Sequence, residues 1–119
     1  MIRIAIAFAL VAASTPVLAQ SPAVAPQLSL DHRMLLRCSA AFAIVANGQE
    51  SGSPEALQYP ELAERGREFF VRASAQVMDE AGLSREQIAA ALTAEARDLR
   101  GSGSLDAVMP VCLGLLPAE

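Results

Sequence analysis

What this sequence lacks narrows its chemistry first. Lysine is absent, so all nine basic residues are arginine, and 13 acidic residues outnumber them for a formal charge of −4. Nothing in the physical chemistry of the chain accounts for the missing lysine. The acid surplus and the lack of a basic patch argue against nucleic acid and anionic lipid surfaces as partners. Histidine occurs once, at His32. A zinc or catalytic role would need a second histidine, a free thiolate or a poised carboxylate at a recognisable spacing, and none stands there. His32 therefore reads as a surface residue in a first helical turn, and no metal or cofactor is expected. There is no Gly-x-Ser-x-Gly nucleophile motif and no Cys-x-x-Cys redox pair. No alternating strand pattern, internal repeat or second domain is visible either.

What is present begins with Met1–Ala19, which reads as a cleaved signal peptide. Arg3 supplies the positive start, Ile4 to Ala13 the apolar run, and Val17-Leu18-Ala19 a small-residue cleavage site before Gln20. The alternative is an uncleaved membrane anchor, but the apolar run is only about ten residues long where a span needs roughly 20. No cysteine lies near the cleavage site, which argues against a lipoprotein. The expected product is periplasmic or secreted, with no stable membrane insertion after cleavage. Of the nine arginines only Arg3 leaves with this segment, so eight face the 13 acids at a formal charge of −5. A mature chain of about 100 residues makes one domain that buries roughly two-thirds of its unfolded surface, so its stability is modest without help. The expected division is signal peptide 1–19, flexible lead-in 20–28 and a helical domain 29–117.

The fold class expected is all-α, a small four-helix bundle closed by one disulfide. Its organising stretch is Met34–Ala46, MLLRCSAAFAIVA, apolar nearly all round except for Arg37 and Ser39, as befits a helix inside a bundle. Ser29 or Asp31 is expected to cap it and Asn47-Gly48 to end it, with a polar loop over Gln49–Ser53. Ser53-Pro54-Glu55 signals a helix start, but Pro60 follows too soon for it to continue. A short turn over 54–58 is expected, then a long helix from Pro60 to Ala81, ended by Gly82, with Leu62, Gly66, Phe69, Phe70, Ala73 and Val77 facing inward. Ser84 and Gln87 form a capping box, with Leu83 and Ile88 as a hydrophobic staple. That helix should bury Ile88, Leu92, Ala96 and Leu99 and stop at Gly101. Ser104 should cap a last helix that Pro110 kinks or restarts.

Cys38 and Cys112 are the only cysteines. An even count in an exported chain implies a disulfide, and two cysteines allow one intramolecular pairing. Closing a loop of about 75 residues is worth roughly 4–5 kcal/mol on the chain-entropy model. Arg37 and Glu95 form a candidate buried ion pair, since Glu95 borders the apolar stripe of its helix and Arg37 is the one charge in the central stretch. Glu61–Arg65 and Glu68–Arg72 stand at the favourable i,i+4 order on a charged helix face. The alanines Ala40, Ala41, Ala43 and Ala89–Ala91 either let helices approach closely or leave surplus apolar surface for a partner.

The segments RCSAAFAIVANGQ and VMPVCLGLL, each with one cysteine, resemble those of short alphaproteobacterial proteins of unknown function that are predicted to be exported. The resemblance spans nearly all of the mature chain and implies a single-disulfide helical domain, with no activity attached. The architecture is also similar to that of the HdeA-type acid-stress chaperones, from which it departs in its much longer cysteine spacing. The expectation is a non-enzymatic exported domain that binds an unknown protein or a small apolar ligand. Two alternatives accompany it. One is an envelope or acid-stress chaperone, in which protonation of the acids makes the chain net positive. The other is a small hydrolase using Glu95, Arg37 or His32.

Overall fold

The computed structural model describes residues 28–118. The expected signal peptide at 1–19 and the expected lead-in up to residue 27 lie outside the described residues. Among the described residues there are five helices and no strand: α1 (Leu30–Glu50), α2 (Pro54–Leu57), α3 (Ala63–Ala81), α4 (Arg85–Ser102) and α5 (Leu105–Leu113). The extra helix relative to expectation is α2, a single turn started by Pro54 after Ser53. Leu28, the last residue assigned to the lead-in, packs on the cluster of Leu36, Val77, Leu83 and Ile88.

All four other helices pack against α1, whereas α3 and α4 scarcely touch one another. This follows from the composition of α1. Leu36, Cys38, Ala40, Ala41, Phe42 and Val45 are all buried on it, and no single stripe could bury them against one neighbour. A ring contact lies at the α1–α3 seam, where Phe42 and Phe69 meet edge to face with centroids 5.2 Å apart. Cys38 is bonded to Cys112 with Cα atoms 5.2 Å apart, which ties α5 to the middle of α1. Both cysteines are fully buried.

Local capping went where short-range chemistry directed it. The Ser29 hydroxyl accepts from the His32 backbone N–H, so Ser29 rather than Asp31 caps α1. The Ser84–Gln87 capping box is formed in both directions, over the buried Leu83 and Ile88. Gly82 ends α3 with φ +67°.

The departures have long-range causes. Helix α1 does not end at Asn47-Gly48 but runs to Glu50. Helix α2 crosses α1 at Gly48, where a Cβ would stand 2.7 Å from the Ala56 Cβ. Helix α3 begins at Ala63, not Pro60, and its N-cap Leu62 has no capping side chain of its own. Gln49 from α1 takes that role. Its amide donates to the carbonyls of Ala56, Tyr59 and Pro60, at 3.1, 3.1 and 2.8 Å. Its oxygen accepts from the Leu62 N–H at 3.1 Å. Helix α4 runs past Gly101 to Ser102 and stops at Gly103, where φ is +65°. Ser104 is the N-cap residue of α5, yet its hydroxyl bonds to Arg37 instead of to the helix. Pro110 lies inside a continuous α5 and does not restart it; it forfeits one backbone bond in a helix held by the buried Met109 and Cys112. Phe70, expected in the core, is 37% exposed.

Gly48 supplies a test. In most helix interiors glycine to alanine stabilises by up to about 1 kcal/mol. Gly48→Ala is expected to destabilise instead, by about 1–3 kcal/mol, because the added methyl overlaps Ala56. Urea unfolding of Gly48→Ala and of Gly48→Ala combined with Ala56→Gly checks this, the second being expected to recover most of the loss.

Candidate functional site

Two features of the surface stand apart from ordinary solvated helix faces: a charged clamp on one flank of α4 and an apolar trough on the other.

The clamp contains the expected Arg37–Glu95 pair. Arg37 Nη1 donates to Glu95 Oε2 and to Asp98 Oδ2, each at 2.8 Å, and Nη2 donates to the Ser104 hydroxyl at 3.0 Å. Arg33 approaches the other Glu95 oxygen at 3.7 Å. The pair is only partly buried, with 19% of the Arg37 side chain and 13% of the Glu95 side chain exposed. Asp98 and then Glu95 hold the guanidinium charged and raise its pKa. One cation engaged by two carboxylates and a hydroxyl is a fastener joining α1, α4 and the α4–α5 turn. Asp98 was not singled out from the sequence, although it lies three residues after Glu95 and so on the same helix face, and Ser104 was expected only as a helix cap.

His32 is not placed with this cluster. Its Nε2 meets Glu80 Oε2 at 2.6 Å, so it joins the start of α1 to the end of α3 rather than lying unengaged at the surface. The three side chains named for a hydrolase are thus divided between two separate links. Among the described residues no group of three or more histidine, cysteine or acidic side chains could hold a metal ion, and no helix is long and apolar enough to cross a membrane.

A third link runs from Tyr59 to Asp106, whose carboxylate accepts from the phenol at 2.5 Å, joining the α2–α3 connection to α5. That hydrogen bond, then burial, pushes the Tyr59 pKa up to about 12. On α2, the backbone N–H of Glu55 and then the Ser53 hydroxyl lower the pKa of the exposed Glu55 carboxyl.

The trough follows from the architecture. Because α3 and α4 lie along α1 without closing on each other, a strip of α1 is left uncovered between them. Its hollow, about 230 Å³, has Ala40, Ala43 and Ile44 as floor, Phe70 of α3 as one wall, and Leu92 and Ala96 of α4 as the other. Of the alanines in question, Ala40 and Ala41 are buried, whereas Ala43, Ala89 and Ala90 are exposed. Close approach and surplus apolar surface are therefore both realised, at different positions. Ala43 sits exposed within the largely apolar Met34–Ala46 stretch. The sequence offered no signal for this, since nothing local tells which alanine of a run lacks a neighbour.

No protein-family model, no curated protein and no solved structure matches this chain. The functional reading therefore rests on the geometry.

The chain holds one tyrosine and no tryptophan, so its phenol can be titrated without interference. The near-ultraviolet phenolate signal of the folded protein is expected to rise with a midpoint near pH 12, against about 10 for the unfolded chain. A folded pKa above the unfolded one means that the Tyr59–Asp106 bond stabilises below about pH 10 and is lost as the pH climbs through 12. Asp106→Asn should move the midpoint toward 10; an unchanged midpoint would show that Asp106 is not the cause.

Proposed function

We propose that this chain is an exported, non-enzymatic helical domain that binds an amphipathic helix of another protein in the trough between α3 and α4. The observation that carries this reading is the exposure of Ala43 and Phe70 on facing elements of one apolar hollow. An apolar floor left open between two helices is the shape that accepts a third helix, as in helix-in-groove recognition. Alanine on the floor allows a guest backbone to lie close, while Phe70 and Leu92 supply the larger contacts at the sides. The hollow is open and shallow, which suits a helix face better than an enclosed small molecule.

Export is supported by the leader-like residues 1–19 and by a disulfide of the kind that persists in oxidising compartments. The clamp around Arg37 supports a binding role over a catalytic one. Its guanidinium is engaged by Glu95, Asp98 and Ser104, and the arrangement fixes α4 at its distance from α1. That distance sets the width of the trough.

A helical peptide with a leucine and alanine face and otherwise uncharged residues tests the reading. Titrated into the isotope-labelled protein, it is expected to shift the amide resonances of Ala43, Phe70, Leu92 and Ala96 and of their neighbours. Ala43→Arg, at an exposed position, should cost no more than about 0.5 kcal/mol of stability and should abolish those shifts. Shifts absent, or scattered over the surface and untouched by Ala43→Arg, would overturn it.

A further inference from the structure

A second hollow differs in chemistry from the trough. It measures about 320 Å³ and lies where the C-terminal half of α1 meets α2, the end of α4 and the start of α5. Small-molecule sites run from roughly 300 to 1,000 Å³, and this hollow is more enclosed than the trough. Ile44, Ala56 and Leu105, none of them fully exposed, give it an apolar floor. Glu55 of α2, Asp106 of α5 and Arg100 of α4, all exposed, bring three charges to its rim.

Those charges are oriented but not neutralised. Glu55 Oε2 accepts from the Ser53 hydroxyl at 2.8 Å, and Asp106 Oδ1 accepts from the Tyr59 phenol at 2.5 Å. Its own backbone N–H and then the Ser53 hydroxyl keep Glu55 ionised, against slight desolvation and the nearby Asp106 charge. Two like charges therefore stand close enough to feel one another. Among the described residues neither acid has a cation for a partner, and Arg100 pairs with no acid. A direct ion pair would close the hollow. Without one, charges of both signs face a single open space.

We propose that this hollow is a binding site for a small aliphatic α-amino acid, with the ammonium between Glu55 and Asp106, the carboxylate on Arg100 and the side chain over Ile44 and Leu105. A plain amine would satisfy the acids and leave Arg100 unmatched. A plain carboxylate would add a third negative charge beside Glu55 and Asp106. A zwitterion meets both signs, through charge-assisted hydrogen bonds that are roughly twice as strong as neutral ones. The site does not depend on the trough being a helix-binding surface, although Arg100 borders both hollows.

Calorimetric titration of the intact oxidised protein tests this with three probes: leucine, isoamylamine (leucine without its carboxylate) and isocaproate (leucine without its amine). Leucine is expected to bind about tenfold more tightly than either, the margin of one charge-assisted contact. Arg100→Gln should weaken leucine about tenfold and leave isoamylamine unchanged. Glu55→Gln should weaken both. Each substitution is at an exposed position, and circular dichroism checks that the helix content is unaltered. Ala43→Arg, which obstructs the trough and touches nothing in this hollow, should leave leucine binding as it was, so the two sites fail separately. If leucine does not bind, the proposal is overturned, and the wild-type series alone decides that. Isoamylamine binding as tightly as leucine, or leucine binding indifferent to Arg100→Gln, would reduce the hollow to a cation site and overturn it equally.

Discussion

The structure depends on one helix serving as everyone else's core. Helix α1 is buried on so many sides that no single partner could cover it, and α2, α3, α4 and α5 each take part of that task. Apolar surface removed from water is the dominant favourable term in folding, and here α1 contributes to both core clusters. The covalent link obeys the same logic, since Cys38 lies in the middle of α1 and draws in α5, a nine-residue helix too short to hold itself in place. The polar links fall between elements at the periphery: His32 to Glu80, Arg37 to Glu95 and Asp98, and Tyr59 to Asp106.

A hub of this kind has a geometric consequence. Helices that need only α1 need not touch one another, and α3 and α4 do not close the gap between them. The trough is thus a product of the same patterning that makes the fold, and Ala43 is the position where α1 has no neighbour of its own. On the far flank of α4, Arg37 ties that helix to α1 through Glu95 and Asp98. Fold and proposed site share one determinant, the angle at which α4 lies on α1.

Much of this architecture was legible in the residues. The burial of Leu36, Cys38, Phe42 and Val45 within Met34–Ala46, the capping box at Ser84, the stop at Gly82, the Cys38–Cys112 bond and the meeting of Arg37 with Glu95 all follow from short-range chemistry or from pairing the few candidates available. What was not legible arises where two distant segments meet. Gly48 looks like a helix terminator until α2 is found against it, leaving no room for a side chain. Pro60 looks like a helix start until Gln49 is seen to occupy the carbonyls and the N–H of that turn. Ser104 looks like a cap, but a guanidinium contributed from α1 competes for its hydroxyl. Phe70 has the right period for the core, yet it sits at the edge of the stripe facing a gap that no other helix fills. The trough was invisible for that reason, since a one-dimensional pattern shows which residues are apolar and not which of them are left uncovered.

Native-state hydrogen exchange on the oxidised protein, read amide by amide, tests the central claim that α1 is the shared core. Amides from Leu36 to Val45 should exchange most slowly of all and only through global unfolding, while α4 opens at lower free energy in a separate step. If α1 amides exchange as fast as those of α4, or if α3 and α4 prove most protected together while α1 opens first, the helices are stabilised by contacts other than those with α1, and the account is contradicted.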